Sequence, residues 1–561
     1  MRRTRSRGSI RDSVCGCSNS SRLTIAACSS DRSGMRRTRG SSRNSSTPRS
    51  AATMSRSPWS MGASQAAAGI VPASPSSISA SSTPAPSPIR SRACRRTRIW
   101  CSRRVPAIRR TGANRSASAC RTPRMSSRSI AEAPLAVPPA TAATMRAVAM
   151  VPLLAYAVLT QLDAVANRIS AGLPIGTTEL ILAALLGSTA LLLLSPPPAA
   201  SATSGNHTGA RLIAAMFCWA VFSWTMSRHA DAGLDYLQKL AIALLPAFCV
   251  LVIVDTPVRL RWLLWAIIAA GTVSAAIVVA EWRTGTRIVS TSIAATTAGF
   301  AGVARSAGGS DQNPTTAAQM LLVSLLLASG WLFSGKRLWR IVLASVMALG
   351  TFALVLASAR SAIIGYAAGL GLIGLSFRHK PYFPLLVLAG IVAAIGALPF
   401  LPPTLVARFT AIGDFGLDPT LYRRITYLRI GADLIGQSPI WGVGPGNFPL
   451  YYVTDAYRWM PGREVYPREL HNTYLDAATE YGIVGFFLFA AALGFALLSA
   501  WRAAQSASPQ LARIGMAVGV ALAGLMVACF FMPHKDLRYL WLLVAIAIQC
   551  GRLARAQERI S

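Results

Sequence analysis

"ELHNTYLDAATEYGIVGFFLF" (residues 469–489) opens on charged and polar residues with a histidine and closes as an apolar helix able to enter a bilayer. Only five histidines occur in 561 residues, so one placed where a loop becomes a membrane helix asks for a chemical reason. Gly482 and Gly485 stand further in and read as small-residue packing positions of a membrane helix.

The rest of the chain repeats the apolar half of this stretch. A mean hydropathy of +0.44 and 53% hydrophobic residues exclude an ordinary soluble globular protein and fit a polytopic membrane protein. From Met150 onward, apolar runs of about 17–25 residues recur, each long enough to cross a bilayer. They lie at 148–167, 175–196, 210–227, 236–255, 260–281, 314–334, 338–358, 361–377, 382–402, 473–500, 511–532 and 537–553. The expectation is an all-α polytopic membrane protein of about twelve transmembrane helices. Residues 145–402 carry helices one to nine, 403–472 form a large loop, and 473–561 carry helices ten to twelve and a tail. The runs at 338–358 and 361–377 almost touch, which leaves the count open by one.

The net charge of +36 suggests nucleic acid until its distribution is read. Residues 1–144 hold 26 arginines, no lysine and three acids, so this quarter of the chain carries +23. It mixes Arg, Ser, Ala, Pro and Thr with no helical or strand period and cannot bury a core. It reads either as a disordered basic tail or as out-of-frame translation ahead of a start at Met145 or Met150. A targeting segment fits less well, because no apolar core precedes a small-residue cleavage site. No nucleic-acid partner is expected. Cys218, Cys249, Cys529 and Cys550 lie in apolar runs, where cysteine is a small hydrophobe. Cys15 and Cys17 have no second pair at zinc-site spacing, so neither metal, disulfide framework nor other cofactor is expected.

Lysine and arginine bias sets orientation. Arg211, Arg259, Arg261, Lys336, Arg337 and Arg340 fall in loops after even-numbered helices, as do further basic residues towards the C-terminus, so these loops should be cytoplasmic. The long segments 282–313 and 403–472 then face the periplasm. Against that bias stand Arg305, Arg360 in the tight "SARSA" link, and Arg423 and Arg424 in the large loop. An anionic ligand at the membrane explains arginine there, because guanidinium forks onto phosphate oxygens. Within the large loop, 418–437 has helical spacing, with Asp418 as a possible cap. Leu421, Ile425, Leu428, Ala432 and Ile435 make a stripe suited to a membrane surface. "GVGPGNF" (442–448) lacks the Lys-Ser/Thr and the preceding strand of a phosphate-binding loop and reads as a shaping turn.

"SPIWGVGPGNF" followed by "HNTYLDAATEYGIVG" resembles the shared signature of the O-antigen ligase and O-antigen polymerase superfamily. "RSAGGSDQNPTTAA" (305–318) and "SARSAIIG" (358–365) resemble its arginine-bearing stretches. The resemblance covers about residues 150–553. It implies a GT-C-like glycosyltransferase of the bacterial inner membrane, with its site facing the periplasm. Such an enzyme moves a glycan from undecaprenyl diphosphate to a hydroxyl of lipid A–core or of another glycan, without metal or nucleotide sugar. His471 is then the catalytic base, and Arg305 and Arg360 hold the diphosphate. Arg423, Arg424, Asn472, Glu480 and His534 are secondary candidates.

The residue chemistry agrees with those roles. A helix N-terminus and nearby arginines disfavour imidazolium at His471, leaving a neutral ring that can accept a hydroxyl proton. Fixed cations gain most as the diphosphate takes up charge in the transition state. The competing readings are an interface-marking histidine for His471 and a snorkelling anchor for Arg360. A polymerase shares donor and signature with a ligase. A transporter of lipid-linked glycans, the rival of a different class, would more often show internal repeats and mid-membrane charges.

Overall fold

The computed structural model describes residues 139–170, 176–195, 207–288, 305–332, 336–401 and 419–559, with positions 403, 406 and 410 between. Every described residue lies within the compact unit Arg124–Ser561. The basic segment 1–138 and Asp418 fall outside the described residues. The helix α1 (Pro139–Leu159) begins six residues before Met145.

Each expected apolar run is helical. After α1 come α2 (Asp163–Ile169), α3 (Thr177–Leu194), α4 (Thr208–Thr225), α5 (Ala230–Ile253) and α6 (Pro257–Thr284). They are followed by α7 (Pro314–Leu332), α8 (Arg337–Leu356), α9 (Arg360–Ser376) and α10 (Phe383–Ala397). The large loop contributes α11 (Pro419–Gln437) and the short α12 (Phe448–Tyr452), and α13 (Thr473–Ala504), α14 (Pro509–Ala528) and α15 (Arg538–Glu558) complete the chain. No strand occurs among the described residues.

The expectation of about twelve spans is met in part. Among the described residues eight helices are long and apolar enough to cross a membrane, or nine if a bent pair is one span. That pair is α1 and α2, which meet at 107°. The helices α9 and α10, at 17 and 15 residues, are shorter than the ~20 residues a bilayer asks for. α4, with 18 residues, is not among the eight either. The joint between α8 and α9 is a true break: Ser358 takes φ +50, a left-handed conformation rare outside glycine.

Burial separates centre from rim. In α15 83% of the most apolar window is enclosed, and in α7 72%, against 17% for α3 and 22% for α8. Rim helices so apolar and so little covered need hydrocarbon around them, which makes this a polytopic helical membrane protein. A second small core lies in the large loop, where Tyr427, Ile430, Leu434, Phe448, Tyr452 and Leu470 pack together. The buried face of α11 is therefore Tyr427–Ile430–Leu434, and the stripe singled out in the sequence lies on its other side, with Ile425 and Leu428 exposed. Both stripes have helical spacing, and only the loop packing against one distinguishes them.

Two breaks position the site. At the bend between α1 and α2 the N–H groups of Ala164 and Val165 donate to the Gly309 carbonyl (3.1 and 3.3 Å), and Asp163 Oδ1 accepts from Asp311 N (2.7 Å). The loop that carries Arg305 is thereby seated on the bend. In α13 the helix breaks at Gly482 (φ +69, ψ −177), a conformation essentially restricted to glycine. The carbonyls of Thr479 and Glu480, released from the helix, accept from Val443 N and Gly444 N (both 3.0 Å), while Ile483 N donates to the Pro439 carbonyl (2.8 Å). Gly482 is thus a conformational requirement rather than only a packing position. The turn 442–446 shapes the loop by clasping the kink, with positive φ at Gly442, Gly444 and Gly446.

Candidate active site

His471 stands two residues before α13. Asn472 is the cap of that helix: its Oδ1 accepts from Tyr474 N and Leu475 N (both 3.1 Å), the standard way to satisfy free N–H groups of a first turn. The capping fixes the direction in which His471 leaves the helix. Its ring stacks on Tyr427 with centroids 5.2 Å apart and planes 19° from parallel. His471 Nδ1 lies 2.8 Å from the Glu469 carbonyl oxygen. A carbonyl can only accept, so Nδ1 carries the proton and Nε2 keeps its lone pair.

That ring faces a cleft of about 740 Å³. His534 and Asp536 line it from the segment between α14 and α15, Glu469 and Arg468 from the large loop, and Thr316 from the first turn of α7. Asp163, Asp311, Lys239 and Arg538 are among the other charged groups of its wall. Burial pushes the His471 imidazole down to about 4, and the charges of Arg424, Arg423 and Arg468 add to the effect. His534 is lowered to about 4 as well, by burial and by its proximity to His471. Both rings are neutral near pH 7. Glu469 moves the other way, up to about 7, through burial and the neighbouring Asp536 carboxylate.

Beneath the cleft lies a buried ion cluster. Lys535 Nζ sits 2.7 Å from Asp476 Oδ2 and pairs with Glu480 Oε2; the three residues are 2–3% exposed. Burial pulls the lysine pKa down, yet the carboxylates of Asp476 and Glu480 outweigh it and hold it above the usual lysine range. Glu480 also accepts from Gly446 N (2.5 Å) and Phe448 N (3.1 Å). It faces inward and ties the glycine turn, α13 and the 532–537 segment together. Thr473 adds a second tie: its hydroxyl donates to the Met532 carbonyl (2.6 Å) and accepts from His534 N (3.0 Å). The segment that carries His534 is therefore held to α13 by four contacts, through Met532, His534 and Lys535.

The arginines lie on the other side of the first turn of α7. Arg305 Nε donates to the Ala357 carbonyl (3.0 Å) and Nη2 to Thr315 Oγ1 (2.9 Å). Arg360, half-buried, opens α9 three residues further on. Thr315 thus faces Arg305 while Thr316 faces the cleft, and neither Arg305 nor Arg360 lines it. Gln319, one turn along, joins the two sides: its side-chain amide pairs with His534 Nε2 and donates to Ser361 Oγ (2.8 Å). Arg423 is paired with Glu464 (2.5 Å), which also holds Arg468 (2.5 Å), and Arg424 lies over the Phe531 ring at 5.4 Å.

The sequence pointed to the "RSAGGSDQNPTTAA" stretch and to His534 but not to Gln319 or Lys535 as connecting residues. The signal for Lys535 was available: a lysine between two helices is far from indifferent when a membrane helix nearby in the chain carries acids at i and i+4.

Residues 345–490 match the family model for O-antigen ligase. The matched stretch runs from within α8 through Arg360, α11, the glycine turn and His471 to the kinked part of α13. The likeness to the O-antigen ligase and polymerase family is thus carried by the elements that build one wall of the cleft. No curated protein matches the chain. Among the described residues no group of three or more His, Cys, Asp or Glu gathers at metal-binding distance.

Proposed function

We propose that this protein is an inner-membrane glycosyltransferase of about twelve helices and GT-C-like architecture. It moves a glycan from undecaprenyl diphosphate to an acceptor hydroxyl, of lipid A–core in a ligase, on the periplasmic face. The observation that carries the reading is a neutral His471 with Nε2 free at a polar cleft, inside the stretch that matches the O-antigen ligase family. Nε2 takes the proton of the acceptor hydroxyl as its oxygen bonds to the anomeric carbon. The bond from that carbon to the diphosphate oxygen breaks, and the lipid diphosphate leaves with the electron pair. Arg305 and Arg360, across the first turn of α7, stabilise the charge gathering on the leaving group. A ring with a pKa of about 4 is a weak base in the free protein. A bound diphosphate brings negative charge that offsets the nearby arginines and raises it.

The test uses purified protein, an undecaprenyl-diphosphate-linked glycan and a lipid A–core acceptor, with product followed on a gel. His471→Ala lowers transfer by about 10²–10⁴, and Arg360→Lys impairs it because lysine keeps the charge but loses the fork. Chelator leaves the rate unchanged. Near-normal transfer by His471→Ala removes histidine from the chemistry. Extension of the donor glycan itself, in place of transfer to lipid A–core, makes the protein a polymerase.

A further inference from the structure

Chain direction places the starts of α6, α8 and α14 and the end of α7 together at the end of the bundle away from the cleft, about 28 Å along α7 from its first turn. A pocket of about 590 Å³ opens there. Three of its tryptophans adjoin, the Trp331 and Trp339 rings tilted against Trp265 with centroids 5.6 and 6.1 Å away, and Trp262 shares the lining. Arg261, Arg513 and Gln510 complete the polar lining, and no carboxylate contributes.

Hydrogen-bond accounting makes the pocket unusual. The indole N–H groups of Trp219, Trp224 and Trp541 each donate to a backbone carbonyl. Among the described residues, the indoles of this pocket have no such acceptor, and Arg261 has neither an ion pair nor a hydrogen bond. Arg513 commits only its Nε, to the Pro509 carbonyl (3.0 Å). The Gln510 amide nitrogen is buried without a partner, a state relieved when a ligand supplies the acceptor. Apart from Gln510 Oε1, the polar groups converging here are donors, and two carry positive charge. Exposed Lys336, Arg337 and Arg340 extend that charge along the rim.

We propose that this pocket holds an acidic phospholipid of the surrounding bilayer by its headgroup. The phosphodiester takes the two guanidinium groups and the Gln510 amide. The ester carbonyls accept from the indoles, and the first acyl carbons lie on Leu343 and the ring faces. A free phosphate would satisfy the arginines but would leave the indole wall unused. Basic pockets between helices at a membrane surface suit such headgroups, and tryptophan sits where apolar chain meets polar head.

The experiment is native mass spectrometry of the full chain in detergent, offered phosphatidylglycerol and phosphatidylcholine with identical acyl chains. The protein is expected to retain phosphatidylglycerol about tenfold more strongly, and the Arg261→Ala, Arg513→Ala double variant to lose that preference. Gln510→Leu, a milder change that leaves both charges, weakens retention by a smaller factor. Millimolar inorganic phosphate does not displace the lipid. Equal retention of both lipids overturns the proposal, as does unchanged retention in the double variant or displacement by phosphate. If the double variant does not fold, unaltered retention by Gln510→Leu overturns it alone. None of these outcomes depends on transfer activity.

Discussion

Glu469 and His471 show how one short run of chain assigns opposite tasks to neighbouring residues. The Glu469 carbonyl sets the tautomer of the imidazole, while its own carboxyl stands in the cleft and is pushed up to about 7. An unfolded glutamate titrates near 4.3. The folded protein therefore holds this proton more tightly, and the stability it contributes is fully present below about 4 and lost as pH rises through about 7. Glu469→Gln should raise the melting temperature at pH 8 and make little difference at pH 4. A melting temperature unchanged at both pH values would show that the carboxyl is not perturbed. At this scale the sequence made His471 conspicuous through rarity and placement. It could not show that Asn472 spends its side chain on a cap, or that Glu480 turns inward to Lys535. Those outcomes depend on which partner arrives from elsewhere in the chain.

Among the elements, α13 is the one whose regularity is deceptive. Its apolar run continues from Ile483 with no proline to mark a break, yet the backbone turns left-handed at Gly482. A Cβ added there would lie 2.2 Å from the Ile440 carbonyl oxygen and 2.7 Å from Gly442 N. Gly482→Ala should destabilise the protein by about 3 kcal/mol, read as a lower midpoint in thermal or denaturant unfolding. It should also release the glycine turn, seen as faster hydrogen exchange at Val443 and Gly444. Normal stability with normal exchange would mean that the turn does not depend on the kink. The kink was invisible in the sequence because glycine is common in membrane helices for packing reasons, and only the docked carbonyls of the turn distinguish the two uses. α11 teaches the same point: its two apolar stripes are equivalent until the loop core covers one of them.

At the scale of the whole molecule, orientation follows from charge bias alone, and it is open to direct test. In a cysteine-free background, a cysteine at Val453 should react with an impermeant thiol reagent from outside intact cells, and one at Ala504 should not. The reverse labelling would invert the assignment and put the cleft on the cytoplasmic side. What the sequence determined by itself is the class of protein and the places of its helices, because bilayer crossing needs only length and apolarity, both local properties of a run of residues. It also determined the likeness to the O-antigen ligase family, carried by short contiguous motifs. The tertiary structure decided which runs are full spans and where α1 breaks. It also set His534 beside His471 and kept Arg305 and Arg360 behind the first turn of α7. Those depend on contacts between segments up to hundreds of residues apart, such as the pairing of Gln319 with His534 or of Lys535 with Asp476. No local property of the chain specifies them, since each buried polar group takes whichever partner the packing of the helices brings within reach.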